Sequence, residues 1–343
     1  MSCTSPQCYL VPLKGGRPCK SMEDYPVGIY PGLGRVVYLP CGGCLSCRRE
    51  RRQELTLLQC CEASLYDDNW FITLTYDDYK TIQIDGLPPF SLNKQHIQSF
   101  LESLRKGLQY LGVKPRYFGC GEYGELYNRP HYHLSLFGCP PSALGLEDDV
   151  MDLNSRKDSL SRFGSLRTFN HASLDSNGNA YWYSPFIGSR WEFGSHKIYR
   201  ANRETFQYVA GYVTKKLTGQ MAKDRFSKDQ KIPEFSFQSR PSIGFPWFDK
   251  YRNSLVGLQL IGEVVQLAGT SWKCPRIFDK WLRLVDHFDG ARIADKIKLL
   301  RTAKVDPLPD RVDLARKRNY EIYREKQFSI LNKNQQKGLK NEP

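Results

Sequence analysis

The sequence predicts an α+β domain, an antiparallel sheet with helices on one face, and three stretches predict it. Asn69-Trp-Phe-Ile-Thr-Leu-Thr-Tyr76 is β-branched and aromatic with alternation, the pattern of a strand. Residues 93–111 set Ile97, Phe100, Leu101, Leu104, Leu108 and Leu111 on one stripe before Gly112, the pattern of an amphipathic helix with its stop. Two further strands follow at 115–123 and 131–138, joined by a connection containing Gly and Asn. Helix, strand and strand after an opening strand form the order from which an antiparallel α+β sheet is built.

The remaining elements follow in chain order. Residues 1–40, rich in Pro, Gly and Cys, read as an irregular arm. A basic helix over 45–66 repeats Leu55, Leu58, Cys61 and Leu65 at three- and four-residue steps. Residues 77–91, with Asp85-Gly-Leu-Pro-Pro89, read as a loop, and 140–180, rich in Ser, Asp and Asn, as a loop-rich insertion. A strand is expected in Arg190–Tyr199 and a helix over 203–218, whereas 219–240 reads as loose. Pro241-Ser-Ile-Gly-Phe-Pro-Trp-Phe-Asp-Lys-Tyr251 opens a short helix, and 257–267 is strand-like. From about 308 a basic helix runs into a polar tail. The expected organisation is a Cys-rich arm with its basic helix over 1–66, a domain over 67–255, and a basic C-terminal helical extension over 256–343.

At 343 residues the chain can bury a core without disulfide staples. It holds no run of about 18 apolar residues, which argues against a membrane span. Its N-terminus lacks the basic-then-apolar layout of a secretory signal. A cytosolic location is therefore expected, with the eleven cysteines as thiols or metal ligands. Lys and Arg number 50 against 36 Asp and Glu, a net +14, which favours a polyanion partner, nucleic acid above all.

The chemistry concentrates in two motifs. In Arg129-Pro-His-Tyr-His-Leu-Ser-Leu-Phe-Gly138 the two histidines alternate, so on a strand His131 and His133 face the same way and can share one cation. A third ligand is expected from the neighbouring strand, Glu122 first and Glu125 in reserve. Two imidazoles and a carboxylate leave positions open for phosphate oxygens; the set suits Mn²⁺, tolerates Mg²⁺ and would also bind Zn²⁺. In Tyr208-Val-Ala-Gly-Tyr-Val-Thr-Lys-Lys216, helical geometry brings Tyr208, Tyr212, Lys215 and Lys216 within roughly a 100° arc. Phe206, Val209, Val213 and Leu217 take the opposite side, free to pack on the sheet. A phenol is a poor nucleophile at its ordinary pKa of about 10. A metal-polarised phosphate and a nearby lysine would activate it, giving a 5′-phosphotyrosine and a free 3′-hydroxyl.

Other residues carry weaker signals. Cys41, Cys44 and Cys47 are spaced for three thiolates on a structural Zn²⁺, with a fourth from Cys3, Cys8, Cys19, Cys60 or Cys61. Arg48, Arg49, Arg51 and Arg52 form the densest basic run and, with Lys216, are candidate DNA contacts. Tyr181, Trp182, Tyr183 and Trp191 either stack on bases or, more simply, pack in the core. No Gly-x-x-x-x-Gly-Lys-Ser/Thr phosphate loop is present, so duplex unwinding falls to a host helicase.

Phe71-Ile-Thr-Leu-Thr-Tyr76, Arg129-Pro-His-Tyr-His133 and Tyr208-x-x-x-Tyr212-x-x-Lys215 together resemble the three motifs of the HUH endonucleases that start rolling-circle replication. The likeness is strongest to the replication initiators of microviruses, the gokushovirus branch in particular. Cys41-Gly-Gly-Cys-Leu-Ser-Cys-Arg48, Glu62-Ala-Ser-Leu-Tyr66, Cys120-Gly-Glu-Tyr-Gly124 and Arg240-Pro-Ser-Ile-Gly-x-x-Trp-Phe248 add to it. The resemblance spans roughly 40–255 and implies a ferredoxin-like sheet with the metal-binding histidines on a central strand. It further implies Mg²⁺ or Mn²⁺ dependence and nicking of the viral strand at an origin, single-stranded or melted, in the cytoplasm of an infected bacterium. Host replication proteins would be partners, and the two tyrosines would alternate as nucleophiles, with Tyr212 favoured for the first cut. Gly211 departs from the pattern, in which a larger, often basic residue is expected. A relaxase or transposase of the same superfamily, or a zinc-stabilised nucleic-acid-binding protein without catalysis, are the alternatives.

Overall fold

The computed structural model describes residues 3–11, 19–20, 28–30, 34–77, 91–124, 128–146, 173–215, 231–257, 264–267 and 270–285. The chain divides into two compact units, residues 1–51 with 298–343, and residues 52–297.

In the first unit, β1 (Gln7–Val11), β2 (Cys19–Lys20), β3 (Gly28–Tyr30) and β4 (Gly34–Leu39) form an antiparallel sheet in the order β2-β1-β4-β3. The expectation of an irregular arm is thus corrected. Tyr9-Leu10-Val11 and Arg35-Val36-Val37-Tyr38-Leu39 are good strand formers, but their runs are short and the surrounding Pro and Gly mask the alternation. Helix α1 (Leu45–Ala63) starts in this unit and continues into the second.

The second unit is built on five antiparallel strands. β5 (Asn69–Tyr76) leads through α2 (Lys94–Tyr110) to the hairpin of β6 (Arg116–Tyr123) and β7 (Pro130–Phe137), and β7 lies between β5 and β6. A small hairpin, β8 (Ser173–Leu174) and β9 (Ala180–Tyr181), and a single turn of helix, α3 (Pro185–Gly188), precede β10 (Gly194–Arg200), which pairs with β5. Helix α4 (Arg203–Lys215) follows, and β11 (Phe235–Gln238) closes the other edge beside β6, giving the order β10-β5-β7-β6-β11. Helix α5 (Phe245–Gly257), the hairpin β12 (Val264–Leu267) and β13 (Thr270–Lys273), and α6 (Arg276–Val285) complete the described residues. Among these no helix is long and apolar enough to cross a membrane.

Helices cover both faces of this sheet, not one. On one face Ile97, Phe100, Leu101, Leu104 and Leu108 of α2 pack on Ile72, Leu74, Tyr132, Leu134, Leu136 and Ile198. On the other, Phe71, Phe118 and Phe137 meet Leu55 and Leu58 of α1, Phe206, Val209 and Ala210 of α4, and aromatic residues of α5 and α6. Double coverage explains why β6 and β7 are buried almost continuously, without the in–out alternation of a one-sided sheet. Helix α2 is capped by Asn93, whose side chain accepts hydrogen bonds from the Gln95 and His96 N–H groups. Leu111, expected in the apolar stripe, is instead the capping residue at the other end and is exposed. Strand β10 begins later than the motif at Arg190 suggests, and the segment expected to be loose before 240 supplies β11. The expected C-terminal helix from 308, and residues 147–172 of the insertion, lie outside the described residues.

A buried ion pair ties the far end of the unit together. Glu62 is fully buried; its Oε1 accepts from Arg116 Nε and its Oε2 from the Gly244 N–H at 2.7 Å. Arg116 also donates to the Pro241 carbonyl at 2.7 Å. Gly244 adopts φ +83°, and a Cβ there would stand 2.9 Å from Leu58 Cδ2, so the loop needs glycine at that point. Glu62→Ala strips the half-buried Arg116 guanidinium of its counterion and the Gly244 N–H of its acceptor, and about 3 kcal/mol of stability, the lower end for a buried pair, should go with it. Glu62→Gln, which keeps an acceptor for Gly244, should lose less; equal denaturation midpoints for the Ala variant and the native chain would contradict the assignment.

His196 provides a pH-dependent term. Burial pushes its pKa down to about 4, and its Nε2 accepts from the Ser184 N–H at 2.9 Å, a bond that a protonated nitrogen could not accept. The folded state holds it neutral while the unfolded chain protonates near pH 6.5, so its contribution is full above about 6.5 and is lost as pH falls towards about 4. The loss is at most about 3 kcal/mol by linkage. Thermal midpoints measured between those pH values should fall less steeply for His196→Gln than for the native chain.

Candidate functional site

The hairpin of β6 and β7 places Glu122 directly opposite His131 and Cys120 opposite His133. Glu122, His131 and His133 therefore share one sheet face, the one on which α4 lies. Glu122 Oε1 stands 2.7 Å from His131 Nε2 and 3.0 Å from His133 Nε2. The outer ring nitrogens are both engaged. His131 Nδ1 lies 3.0 Å from the Arg129 carbonyl, and His133 Nδ1 lies 3.2 Å from Thr73 Oγ1 on β5. Without an ion the two Nε2 atoms are within hydrogen-bonding distance of Glu122; with one, the carbonyl beside His131 Nδ1 suits the Nδ1–H tautomer, which would turn the Nε2 lone pair inward as a ligand. Lone pairs on two imidazoles and a carboxylate oxygen at this spacing repel unless a proton or a cation lies among them. The spacings suit adjacent ligands on one ion, about 3 Å apart when each bond is about 2.1 Å.

Burial and charge set the protonation states. Glu122 is 3% exposed, and burial alone would raise its pKa; the hydrogen bonds to His131 and His133 outweigh that and hold the carboxyl below its usual range. His133 is 4% exposed, and burial pushes its pKa down against the pull of Glu122, which keeps the ring neutral as a ligand must be.

Helix α4 buries Phe206, Val209 and Ala210 and turns Tyr208 and Tyr212 towards the histidines. The Tyr212 ring stacks on His133 with centroids 5.3 Å apart, and Tyr208 meets His133 edge-on at 5.2 Å. The two phenol oxygens are hydrogen-bonded at 2.6 Å. Phe71 of β5 stacks on His133 at 5.4 Å and touches Tyr208 edge-on, flooring the group. Tyr208 remains 44% exposed, so part of its side chain reaches solvent beside the ring of His133.

Among the other candidates, Lys215 ends α4, whereas Lys216, Leu217 and Glu125 lie outside the described residues. Arg48, Arg49 and Arg51 belong to the first unit, while Arg52 in the second reaches the tyrosine helix, Nε donating to the Gln207 carbonyl at 2.9 Å. Gly211 lies against this contact: a Cβ there would stand 3.3 Å from Arg52 Nε, tight enough that the guanidinium would have to shift by a few tenths of an ångström. The missing side chain makes room for a guanidinium from another helix. Trp182 and Trp191 are core residues, the latter donating to the Thr75 carbonyl, while Tyr181 and Tyr183 keep part of their surface. Cys41, Cys44 and Cys47 gather with Cys3. Two supporting residues escaped the sequence reading. Thr73 needs the β5–β7 register to be seen against His133. Gln59, fully buried, donates to the Phe206 carbonyl and accepts from Ser135 Oγ, linking α1, α4 and β7.

The sheet thus sets two histidines and one carboxylate, which could hold a metal ion, under a helix bearing two tyrosines. Residues 69–217, which contain the whole of this site, match the family of the replication-associated protein ORF2. The chain is 27% identical over 245 residues to the replication-associated protein VP4 of Bdellovibrio phage phiMH2K, covering 71% of this chain and 67% of that one. It is 28% identical over 246 residues to the replication-associated protein ORF2 of Spiroplasma virus 4, again covering 71% and 67%. To the replication-associated protein ORF4 of Chlamydia phage 1 it is 27% identical over 246 residues, 71% of this chain and 53% of that one. By sequence, then, the chain is related to the replication-associated proteins of these phages. No solved structure matches it.

Proposed function

We propose that this protein nicks DNA and transfers strands through a tyrosine-linked intermediate, initiating rolling-circle replication of a small single-stranded DNA phage in the cytoplasm of its bacterial host. The observation that carries the reading is the contact of Tyr208 and Tyr212 with His133 while the potential ligand atoms of Glu122, His131 and His133 lie within 4.8 Å of one another. The position of β7 between β5 and β6, with α2 as crossover, fits the ferredoxin-like core of HUH endonucleases. The phage relatives favour this reading over a plasmid relaxase, a transposase or a binder without catalysis.

Glu122, His131 and His133 would hold Mg²⁺ or Mn²⁺, which when bound supplies Lewis-acid polarisation of the scissile phosphate. The Oη of one tyrosine attacks phosphorus; its bond to the 3′-oxygen breaks, the phenol proton is given up, and the 3′-oxygen leaves as a hydroxyl. The 2.6 Å hydrogen bond between the phenols lets either one stabilise charge developing on the other. It also suits alternation, because the second phenol already stands beside the first. Lys215 offsets phosphate charge in this scheme, and Arg52 holds a guanidinium beside α4. Origin DNA would enter single-stranded or melted, with a host helicase unwinding ahead of the released 3′ end.

The test is an oligonucleotide carrying the cognate origin, incubated with Mn²⁺ and run on a denaturing gel. A covalent protein–DNA adduct is expected, prevented by EDTA and abolished by His131→Ala. Tyr208→Phe combined with Tyr212→Phe should bind the oligonucleotide but form no adduct; an adduct from that double variant would refute the nucleophile assignment. The single Tyr→Phe variants distinguish which phenol cuts first, with Tyr212 expected. Arg52→Ala should weaken single-strand binding and reduce its salt slope by about 1, the signature of one lost phosphate contact. An unchanged slope would show that Arg52 serves only to hold α4.

A further inference from the structure

We infer that Cys3, Cys41, Cys44 and Cys47 form a tetrathiolate site for a structural Zn²⁺ in the first unit, separate from the metal ligands of the proposed nuclease site. The register of β1 against β4 generates the cluster. The pairing ends at Gln7 and Leu39, and the chain before Gln7 continues past the end of β4, where Cys3 meets the Cys41-Gly-Gly-Cys44 turn. Gly42 takes φ +74°, bending that turn so that Cys41 and Cys44 reach the same point. Cys47 follows in the first turn of α1, one helical step beyond Cys44.

The sulfurs have the spacing of a zinc site. All four Sγ atoms lie within 4.8 Å of one another, and Cys3 Sγ and Cys44 Sγ are 3.8 Å apart. Four sulfurs at a Zn–S bond length of about 2.3 Å in a tetrahedron stand about 3.8 Å apart. A disulfide would need about 2.05 Å, and all four residues are free thiols. Backbone donors are already aimed at the sulfurs: the Cys41 N–H at Cys3 Sγ and the Cys44 N–H at Cys41 Sγ, both at 3.3 Å. Such bonds orient ligands and stabilise thiolate charge. Cys3 and Cys47 are buried and Cys41 and Cys44 half-buried, so two of the four ligands are shielded from solvent thiols.

The role follows from what the four ligands join. They clamp the start of β1, the end of β4 and the first turn of α1, in a unit whose strands are two to six residues long. Short strands bury little apolar area, and a metal clip is the usual remedy for such a fold. The clamp also fixes the helical turn that carries Arg48, Arg49 and Arg51, giving the basic run a set direction. Soft thiolate ligands favour zinc over the hard cation expected at Glu122, His131 and His133.

The full chain, purified without chelator, should carry one zinc that a mercurial thiol reagent releases to a zinc-sensitive dye. That zinc should persist in the variant with both His131→Ala and His133→Ala, which removes the other metal set. Cys3→Ser and Cys47→Ser should each retain zinc about tenfold or more weakly, whereas Cys8→Ser, altering the neighbouring strand alone, should retain it fully. Replacing zinc with Co²⁺ in the native chain should give thiolate-to-cobalt charge transfer and the intense visible bands of a tetrahedral site, a readout independent of how the serine variants fold. Absence of zinc, iron in its place, an octahedral cobalt spectrum, or zinc that follows the histidines and ignores the cysteines would each overturn the assignment.

Discussion

The pairing of β6 with β7 is the constraint on which the candidate site depends. Side chains alternate along a strand, so a slip of one residue would carry His131 and His133 to the face packed by α2 and leave Glu122 behind. The hairpin resists that slip for reasons remote from any metal. Tyr132, Leu134 and Leu136 are fully buried under α2, and moving them to the other face would exchange this core for polar and ring surfaces that do not fit it. Tyr132 adds a polar lock, its hydroxyl donating to the Asn93 carbonyl at 2.7 Å, which joins the central strand to the cap of α2. The hydrophobic core thus sets the register, and the register sets the ligand geometry.

The tyrosines are held by a second, independent set of contacts. Phe206, Val209 and Ala210 seat α4 on Phe137 and its neighbours, and the buried amide of Gln59 fixes its first turn through the Phe206 carbonyl. Once the helix is seated, its periodicity leaves Tyr208 and Tyr212 little choice but to face His133. Phe71 completes the arrangement from β5, and Thr73, two residues on along the same strand, meets the outer nitrogen of His133. A single strand therefore supplies both the apolar floor and a polar second layer of the site. The β5 stretch is thus joined to the histidine and tyrosine stretches by direct contact, through Phe71 and Thr73.

Local pattern made the central elements legible. The apolar stripe of α2, the alternation of β5 and the two strands after it were each placed to within a residue or two, because each is long and strongly periodic. The histidine pair and the tyrosine pair were legible for the same reason, since i, i+2 on a strand and i, i+4 on a helix fix which side chains share a face. What escaped depends on pairing across the chain. The strands of the first unit are too short to show a period, and β11 is an edge strand with half-exposed residues. Cys3 could not be chosen from five candidate fourth ligands until the fold showed it against Cys41 and Cys44, beyond the end of the β1–β4 pairing. Coverage of both sheet faces was hidden because local pattern shows where a helix forms but not which face it takes: α1, α4 and α5 were legible as helices, yet their packing opposite α2 appears only in the fold.

The motifs outside the site divide into those that hold it and those that carry charge to it. Glu62-Ala-Ser-Leu-Tyr66 and Arg240-Pro-Ser-Ile-Gly244 look like markers of a common chemistry when read as sequence. In the fold they meet each other: Glu62 accepts from the Gly244 N–H, and Arg116, between them, bonds both Glu62 and the Pro241 carbonyl. Their pairing is therefore a structural cross-brace from α1 to the start of α5, built around a charge too costly to bury alone. Arg52 is the opposite case. Nothing in the basic run singles it out, yet it lies where Gly211 leaves a gap beside α4. Gly211, a departure when only the helix is considered, leaves open the space that the Arg52 guanidinium borders. The positive charge beside the tyrosines therefore comes from α1 through a contact between segments, which the sequence of α4 alone does not show.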